Sequence, residues 1–174
     1  MKENIKLFAK VSTTLFTSIL NDEQMNNSIV EQIDLQGDRQ KYRTNVKAQM
    51  TDWNMIDKPG FNSLVNIICN NVKEISMTKY NIPFNPIIND IWGINYKKND
   101  TTLEHDHWPS TFSCVYYINP PKNCPSLIFS ELDFQLKPKH GLLVIFEGWL
   151  KHYVPKVDFE GSRYTVSCNV GYHK

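Results

Sequence analysis

The stretch His105-Asp106-His107, followed after a short polar turn by Phe112-Ser113-Cys114-Val115-Tyr116-Tyr117-Ile118, decides how this chain is read. Only five histidines occur in 174 residues, and two of them stand two apart at the mouth of a run that reads as a β-strand. Alternation along extended backbone sends such residues to the same side, so both imidazoles would face one point. That is how two ligands reach one metal ion. A third candidate, His152, lies past the apolar run Gly141 to Phe146, and Arg163 opens the last strand, Arg163 to Gly171. The plainer alternative makes His105 and His107 surface residues of a charged loop, since Glu104 and Asp106 flank them. The His-x-His pair, the strong strand after it and the later His together favour a metal site. His140, in a Pro-Lys-His-Gly turn, and His173, near the C-terminus, are left out of it.

Working outward, the second half of the chain reads as closely spaced strands. Ile87 to Tyr96 precedes the His-x-His pair, and Phe112 to Ile118, Ser126 to Ser130, Gly141 to Phe146, His152 to Pro155 and Arg163 to Gly171 follow it. The turns between them carry Asn119-Pro120-Pro121, Lys137-Pro138-Lys139-His140-Gly141 and Glu160-Gly161-Ser162, residues suited to tight reversals. In the last strand Arg163, Thr165, Ser167 and Asn169 share one face, with Tyr164, Val166, Cys168 and Val170 on the other. Either the polar face meets water, or it faces a barrel interior where Arg163 needs an anion.

The first half reads differently. Ile5 to Lys10 alternates weakly, as an edge strand would. Asp22 is placed to cap a helix to about Gln36, with Met25, Ile29 and Ile33 at helical spacing and Gly37 as a stop. Asp38 to Thr44 reads as a loop, Val46 to Trp53 as one strand, and Asp57-Lys58-Pro59-Gly60 as a turn. Leu64, Ile67, Ile68, Val72 and Ile75 mark a helix from Asn62 to about Lys79, ended by Pro83 and Pro86. Helices first and strands afterwards predict an α+β chain, a jelly-roll barrel of two sheets buttressed by the helices, as one domain over residues 1–174.

Composition excludes more than it selects. Nineteen basic and 18 acidic side chains are scattered to a net charge of +1, so no polybasic stripe points to nucleic acid. No apolar run is long enough to span a membrane, and Val11 to Leu20 is too broken by Ser and Thr for a signal peptide. Cys69, Cys114, Cys124 and Cys168 form no Cys-x-x-Cys pair, which fits reduced thiols and a cytoplasmic setting. No Ser-His-Asp or paired-carboxylate arrangement points to hydrolytic chemistry.

Taken in order, His-x-His, Ser-Cys-Val-Tyr-Tyr-Ile-Asn, Pro-Lys-His-Gly-Leu-Leu-Val-Ile-Phe, Trp-Leu-Lys-His-Tyr-Val and Arg-Tyr-Thr-Val-Ser-Cys-Asn resemble the iron(II) and 2-oxoglutarate dependent oxygenases. The resemblance is strongest to the small microbial and phage-encoded, prolyl-hydroxylase-like group, and it covers about Ile91 to Val170. It implies a cupin-like double-stranded β-helix, binding of iron(II), 2-oxoglutarate and dioxygen, and hydroxylation of an unactivated C–H bond on a peptide, prolyl or small-molecule substrate. The family's His-x-Asp/Glu pair and distal His match His105, position 107 and His152. Position 107 is His where a carboxylate is usual, so the resemblance implies a three-histidine triad, or Asp106 as an alternative ligand. The family's distal Arg and strand Tyr, which hold the far carboxylate of 2-oxoglutarate, match Arg163 and Tyr117. Ser167 and Asn169 share the Arg163 face and are candidates for the pocket lining, with Trp108 and Asn95 behind them. Cys114 stands where the family commonly has Gly.

Two rival readings also fit these residues. A cupin-type metal protein or dioxygenase without 2-oxoglutarate also uses His-x-His and a later His, but it wants a Glu where positions 110 to 112 are Ser, Thr and Phe. A non-catalytic jelly-roll binding module predicts no metal.

Overall fold

The computed structural model describes residues 13–36 and 44–172. Its elements in order are β1 (Phe16–Ile19), α1 (Glu23–Leu35), β2 (Val46–Lys47), β3 (Gln49–Met50), α2 (Phe61–Tyr80), β4 (Pro86–Tyr96), β5 (Thr101–His105), β6 (Phe112–Ile118), β7 (Leu127–Phe129), a 3-10 turn (Ser130–Leu132), β8 (Phe134–Leu136), β9 (Leu142–Glu147), β10 (His152–Val154) and β11 (Arg163–Tyr172). They form two antiparallel sheets, a six-stranded one ordered β1-β9-β6-β11-β4-β3 and a five-stranded one ordered β2-β5-β10-β7-β8. Packed face to face, these make a double-stranded β-helix with the helices on the outer face of the larger sheet. The fold is the expected one.

Local chemistry accounts for the helices. Asp22 caps α1 by accepting the amide proton of Met25 at 2.9 Å, and Met25, Ile29 and Ile33 form the buried stripe. Leu64, Ile68, Val72 and Ile75 do the same for α2. That helix ends at Tyr80, before either proline. Asn81 turns left-handed there, and the amides of Asn81 and Ile82 reach back to the carbonyls of Met77 and Ser76.

All seven residues of β6 are buried, because both of its faces are covered. Phe112, Cys114, Tyr116 and Ile118 pack with the helices, together with Val166, Cys168 and Val170 of β11. Val115 and Tyr117 point the other way, into the core between the sheets with Val144, Phe146, Leu127 and Phe129. The strands therefore separate a largely apolar helix-facing layer from an interior that holds Arg163, Thr165, Ser167 and His152. At Gly93 on β4 the helices press so close that an added Cβ would lie 2.3 Å from Ile33 Cγ1.

Several expectations change. Val46 to Trp53 is not one strand: β2 pairs with β5 in the smaller sheet, and β3 pairs with β4 in the larger. The break at Ala48 lets the chain cross between sheets. Strands β1, β5 and β8 escaped the sequence reading, and the Ser126–Ser130 strand shrinks to Leu127–Phe129. The proposed edge strand at Ile5 to Lys10, the stop at Gly37 and most of the loop from Asp38 lie outside the described residues. No described helix is long and apolar enough to cross a membrane.

Candidate metal and oxo-acid site

His105 ends β5, and His152 begins β10 as its direct cross-strand partner. His107 lies two residues beyond β5, in a segment whose backbone is fixed by its own amide donating to the Gly148 carbonyl at 2.7 Å. The same loop requires glycine at 148, because a Cβ there would clash with the Ser110 carbonyl oxygen. The three rings converge, with centroids 4.6, 4.8 and 5.1 Å apart. One ligating nitrogen from each lies within 4.8 Å of the others.

The hydrogen bonds around the triad fix which ring nitrogens are free to bind an ion. His105 Nδ1 donates to the Leu103 carbonyl at 2.8 Å, and His152 Nδ1 donates to the Leu150 carbonyl at 2.9 Å. A carbonyl oxygen only accepts, so in both rings Nδ1 carries the proton and Nε2 keeps its lone pair. This is the backbone support that metal-bound histidines ordinarily have.

Burial and the neighbouring imidazoles hold His107 down to about 2, and burial, with His105 alongside, holds His152 at about 4. His105 is lowered too, chiefly by burial. At neutral pH the cluster thus presents three uncharged nitrogen donors, a donor set that suits a divalent transition ion. Phe146 and Phe129 wall His152 at 4.9 and 6.0 Å between ring centroids.

Asp106 does not join the triad. It is exposed, and its Oδ1 accepts the amide proton of Trp108 at 3.1 Å. Strand parity anticipated this orientation.

Deeper between the sheets lies Arg163, 1% exposed. Its Nη1 donates to the Pro125 carbonyl at 3.0 Å, and its guanidinium carbon sits 5.1 Å from the Tyr96 ring and 5.2 Å from the Tyr117 ring. Among the described residues no carboxylate pairs with it. Arg163 Nε and the Tyr117 hydroxyl are both buried without a hydrogen-bond partner. Burial raises the Tyr117 phenol well above its ordinary value against the pull of Arg163, so it remains a protonated donor. A buried fixed cation beside an unused phenol is costly unless an anion satisfies both. These atoms suit a carboxylate. The cavity joining them to the triad is narrow, about 30 Å³, so a diacid would enter by spreading its walls.

Of the other candidates, Ser167 lines this cavity together with Thr165. Asn169 shares their face but lies nearer the mouth, where it accepts from Ser113 Oγ at 3.1 Å and reaches Asp90 at 3.4 Å. Asn95 faces away: alternation along β4 sends Trp92, Ile94 and Tyr96 into the cavity, and Asn95 donates to Gln49 on the far side at 3.4 Å. Trp108 is 76% exposed and borders a separate surface groove of about 610 Å³ with Tyr80, Phe84, Trp149 and Tyr172. Cys114 packs against the helix layer opposite Cys168 and does not touch the site. His140 pairs with Glu23 at 3.0 Å on the surface. Sequence reasoning missed Trp92, whose ring lies 6.1 Å from that of His107 and whose Nε1 is buried without a partner. An aromatic at an inward position of an apolar strand carries no sequence signal of an unused donor.

No protein-family model matches the sequence, and no curated protein matches it significantly. The fold does have solved counterparts. The structure superposes on the viral collagen prolyl hydroxylase of Paramecium bursaria Chlorella virus-1, in its 2-oxoglutarate complex, with a TM-score of 0.68 at 16% identity over 90% of this chain and 94% of that one. A prolyl-4-hydroxylase from Pseudomonas putida gives 0.67 at 11% identity over 94% and 95%. A Trichoplax adhaerens prolyl hydroxylase, in complex with a hypoxia inducible factor peptide fragment, gives 0.65 at 14% identity over 91% and 83%. The chain therefore has the double-stranded β-helix of those hydroxylases.

Proposed function

We propose that this chain, as a single domain over residues 1–174, is an iron(II)- and 2-oxoglutarate-dependent dioxygenase that hydroxylates an unactivated C–H bond. The observation that carries this is one cavity with three convergent neutral imidazoles at its mouth and, at its base, an arginine with no carboxylate partner among the described residues beside an unused phenol. In this reading His105, His107 and His152 hold iron(II), and Arg163 and Tyr117 hold the far carboxylate of 2-oxoglutarate. Ser167 lines the wall between them. Bound iron(II) with 2-oxoglutarate supplies the oxidative decarboxylation by dioxygen, to succinate and carbon dioxide, that drives hydroxylation.

The protein's own residues orient and exclude. Three histidines would hold the ion and leave it accessible to small molecules. The carbonyls of Leu103 and Leu150 fix the ring orientations, Phe129 and Phe146 keep water from His152, and Arg163 with Tyr117 sets how deep the acid sits. No side-chain base is needed.

A peptide or prolyl substrate is supported by the aromatic groove, which begins one residue beyond His107, and by the prolyl hydroxylases that share the fold. Four free thiols support an intracellular, cytoplasmic setting. The test is succinate release under air with iron(II) and 2-oxoglutarate. It should be dioxygen-dependent and should fall at least about tenfold in Arg163→Ala, since a charged hydrogen-bonded pair is lost. Metal binding without succinate would return the chain to the cupin reading.

A further inference from the structure

Three polar atoms of the cavity's described side chains are buried without partners, and binding of the far carboxylate uses only two of them. The third is Trp92 Nε1. Trp92 is 2% exposed and sits on the inward face of β4, in register with Ser167, while Tyr96 on the same face is in register with Arg163. Four residues separate them, about 13 Å of strand. Arg163 and Tyr117 therefore mark the base of the cavity, and Trp92 marks the end beside His107, packed at 4.6 Å on Trp53. An indole N–H can only donate. No described group accepts from it in this structure, so a ligand or water entering the cavity would supply its acceptor.

We infer that Trp92 is a binding residue for the carboxylate at the metal end of the bound oxo-acid, donating from Nε1 while Arg163 and Tyr117 hold the carboxylate at the other end. The inference rests on the reading that the cavity takes 2-oxoglutarate. It gives the cavity a donor at each end, and 2-oxoglutarate carries a carboxylate, which accepts, at each of its ends. Because Nε1 is closed off from solvent, it does not serve a substrate approaching over the exposed groove at Trp108. Two further unpartnered atoms, on Asn26 and Asn95, lie on the helix side of the sheet and away from any ligand.

The experiment uses the zinc(II)-loaded full chain with ¹⁵N-labelled indoles and two ligands, 2-oxoglutarate and 4-oxopentanoate. The second keeps the ketone and the far carboxylate and has a methyl group at the metal end. The Trp92 N–H resonance, assigned by single Trp→Phe changes at positions 53, 108 and 149, should move downfield with 2-oxoglutarate and stay in place with 4-oxopentanoate. By calorimetry Trp92→Phe should weaken 2-oxoglutarate about tenfold or more and leave 4-oxopentanoate within about twofold, whereas Arg163→Ala weakens both. A resonance that responds to both acids or to neither, or equal weakening of both in Trp92→Phe, overturns the inference. Should Trp92→Phe fail to fold, the spectrum of the unsubstituted protein decides alone. If the unsubstituted protein binds neither acid, the 2-oxoglutarate reading fails and takes this one with it. If it binds 2-oxoglutarate with Trp92 unmoved, only the role of Trp92 is lost.

Discussion

His105 and His152 are direct cross-strand partners, the last residue of β5 facing the first of β10, with ring centroids 4.6 Å apart. Two imidazoles separated by 47 positions are thus locked by sheet register, and a slip of one residue would turn one of them to the opposite face. His107 joins them from the loop that Gly148 anchors.

If the proposed site is right, removal of either cross-strand histidine is severe. His105→Ala and His152→Ala should each weaken divalent-metal binding more than about 100-fold, beyond the range seen when only the supporting residues of a metal site are removed. Asp106→Asn should change affinity by no more than about twofold, as for an uninvolved surface residue. His107→Asp should bind at least as tightly as the unsubstituted chain, because a carboxylate adds charge opposite the ion. Competition against a chromophoric chelator measures all four.

Acid should destabilise the metal-free protein earlier than its carboxylates alone would. The His107 and His152 values lie below that of an unfolded histidine, about 6.5, so between 6.5 and about 4 the unfolded chain binds more protons than the folded one. Their contribution is complete above pH 6.5 and is lost as pH falls, at up to about 1.4 kcal/mol per pH unit for each histidine. Urea midpoints at pH 7.5 and 5.5 should differ accordingly. Loading with zinc(II) should raise the midpoint at pH 7.5, and a midpoint insensitive to pH would contradict the burial of these rings.

Adjacent tyrosines should behave oppositely. Tyr116 donates to Asn26 Oδ1 at 2.6 Å, tying β6 to α1, so Tyr116→Phe strands a buried acceptor and should cost about 1–3 kcal/mol without affecting 2-oxoglutarate binding. Tyr117 points to the other face with an unused hydroxyl. Tyr117→Phe should leave the ligand-free protein equally stable or more stable, by up to about 1–2 kcal/mol, and weaken 2-oxoglutarate about tenfold. Denaturation and calorimetry on both variants separate the two faces of one strand.

Gly93→Ala tests the helix layer. The new methyl would press on Ile33 and on Phe61 Cζ at 3.2 Å, and overpacking of this kind costs about 1–3 kcal/mol. The loss should appear in urea unfolding, with metal affinity retained because the triad lies on the other side of the larger sheet.

Much of this site was legible because its residues obey strand parity. His105 and His107 share a side, Asp106 does not, and the polar face of β11 does turn inward at Arg163, Thr165 and Ser167. Parity gives direction and not depth, which is why Asn169 falls on the correct face yet toward the mouth. Asn95 faces away from the cavity because Trp92, Ile94 and Tyr96 take the inward side of β4. The short strands were illegible for another reason. In β5 neither Leu103 nor Glu104 is buried, so Thr101–His105 shows no alternation and is a strand only because β2 and β10 pair with it. The division of Val46 to Trp53 between two sheets likewise depends on partners remote in sequence.

The most direct test is a crystal structure of the full chain grown anaerobically with manganese(II), an inert stand-in for iron(II), and 2-oxoglutarate. The account predicts one ion within about 2.3 Å of a nitrogen from each of His105, His107 and His152, with the acid chelating it and its far carboxylate on Arg163 and Tyr117. An ion bound through Asp106, an ion missing one of those three rings, or an acid lying away from Arg163 would contradict it.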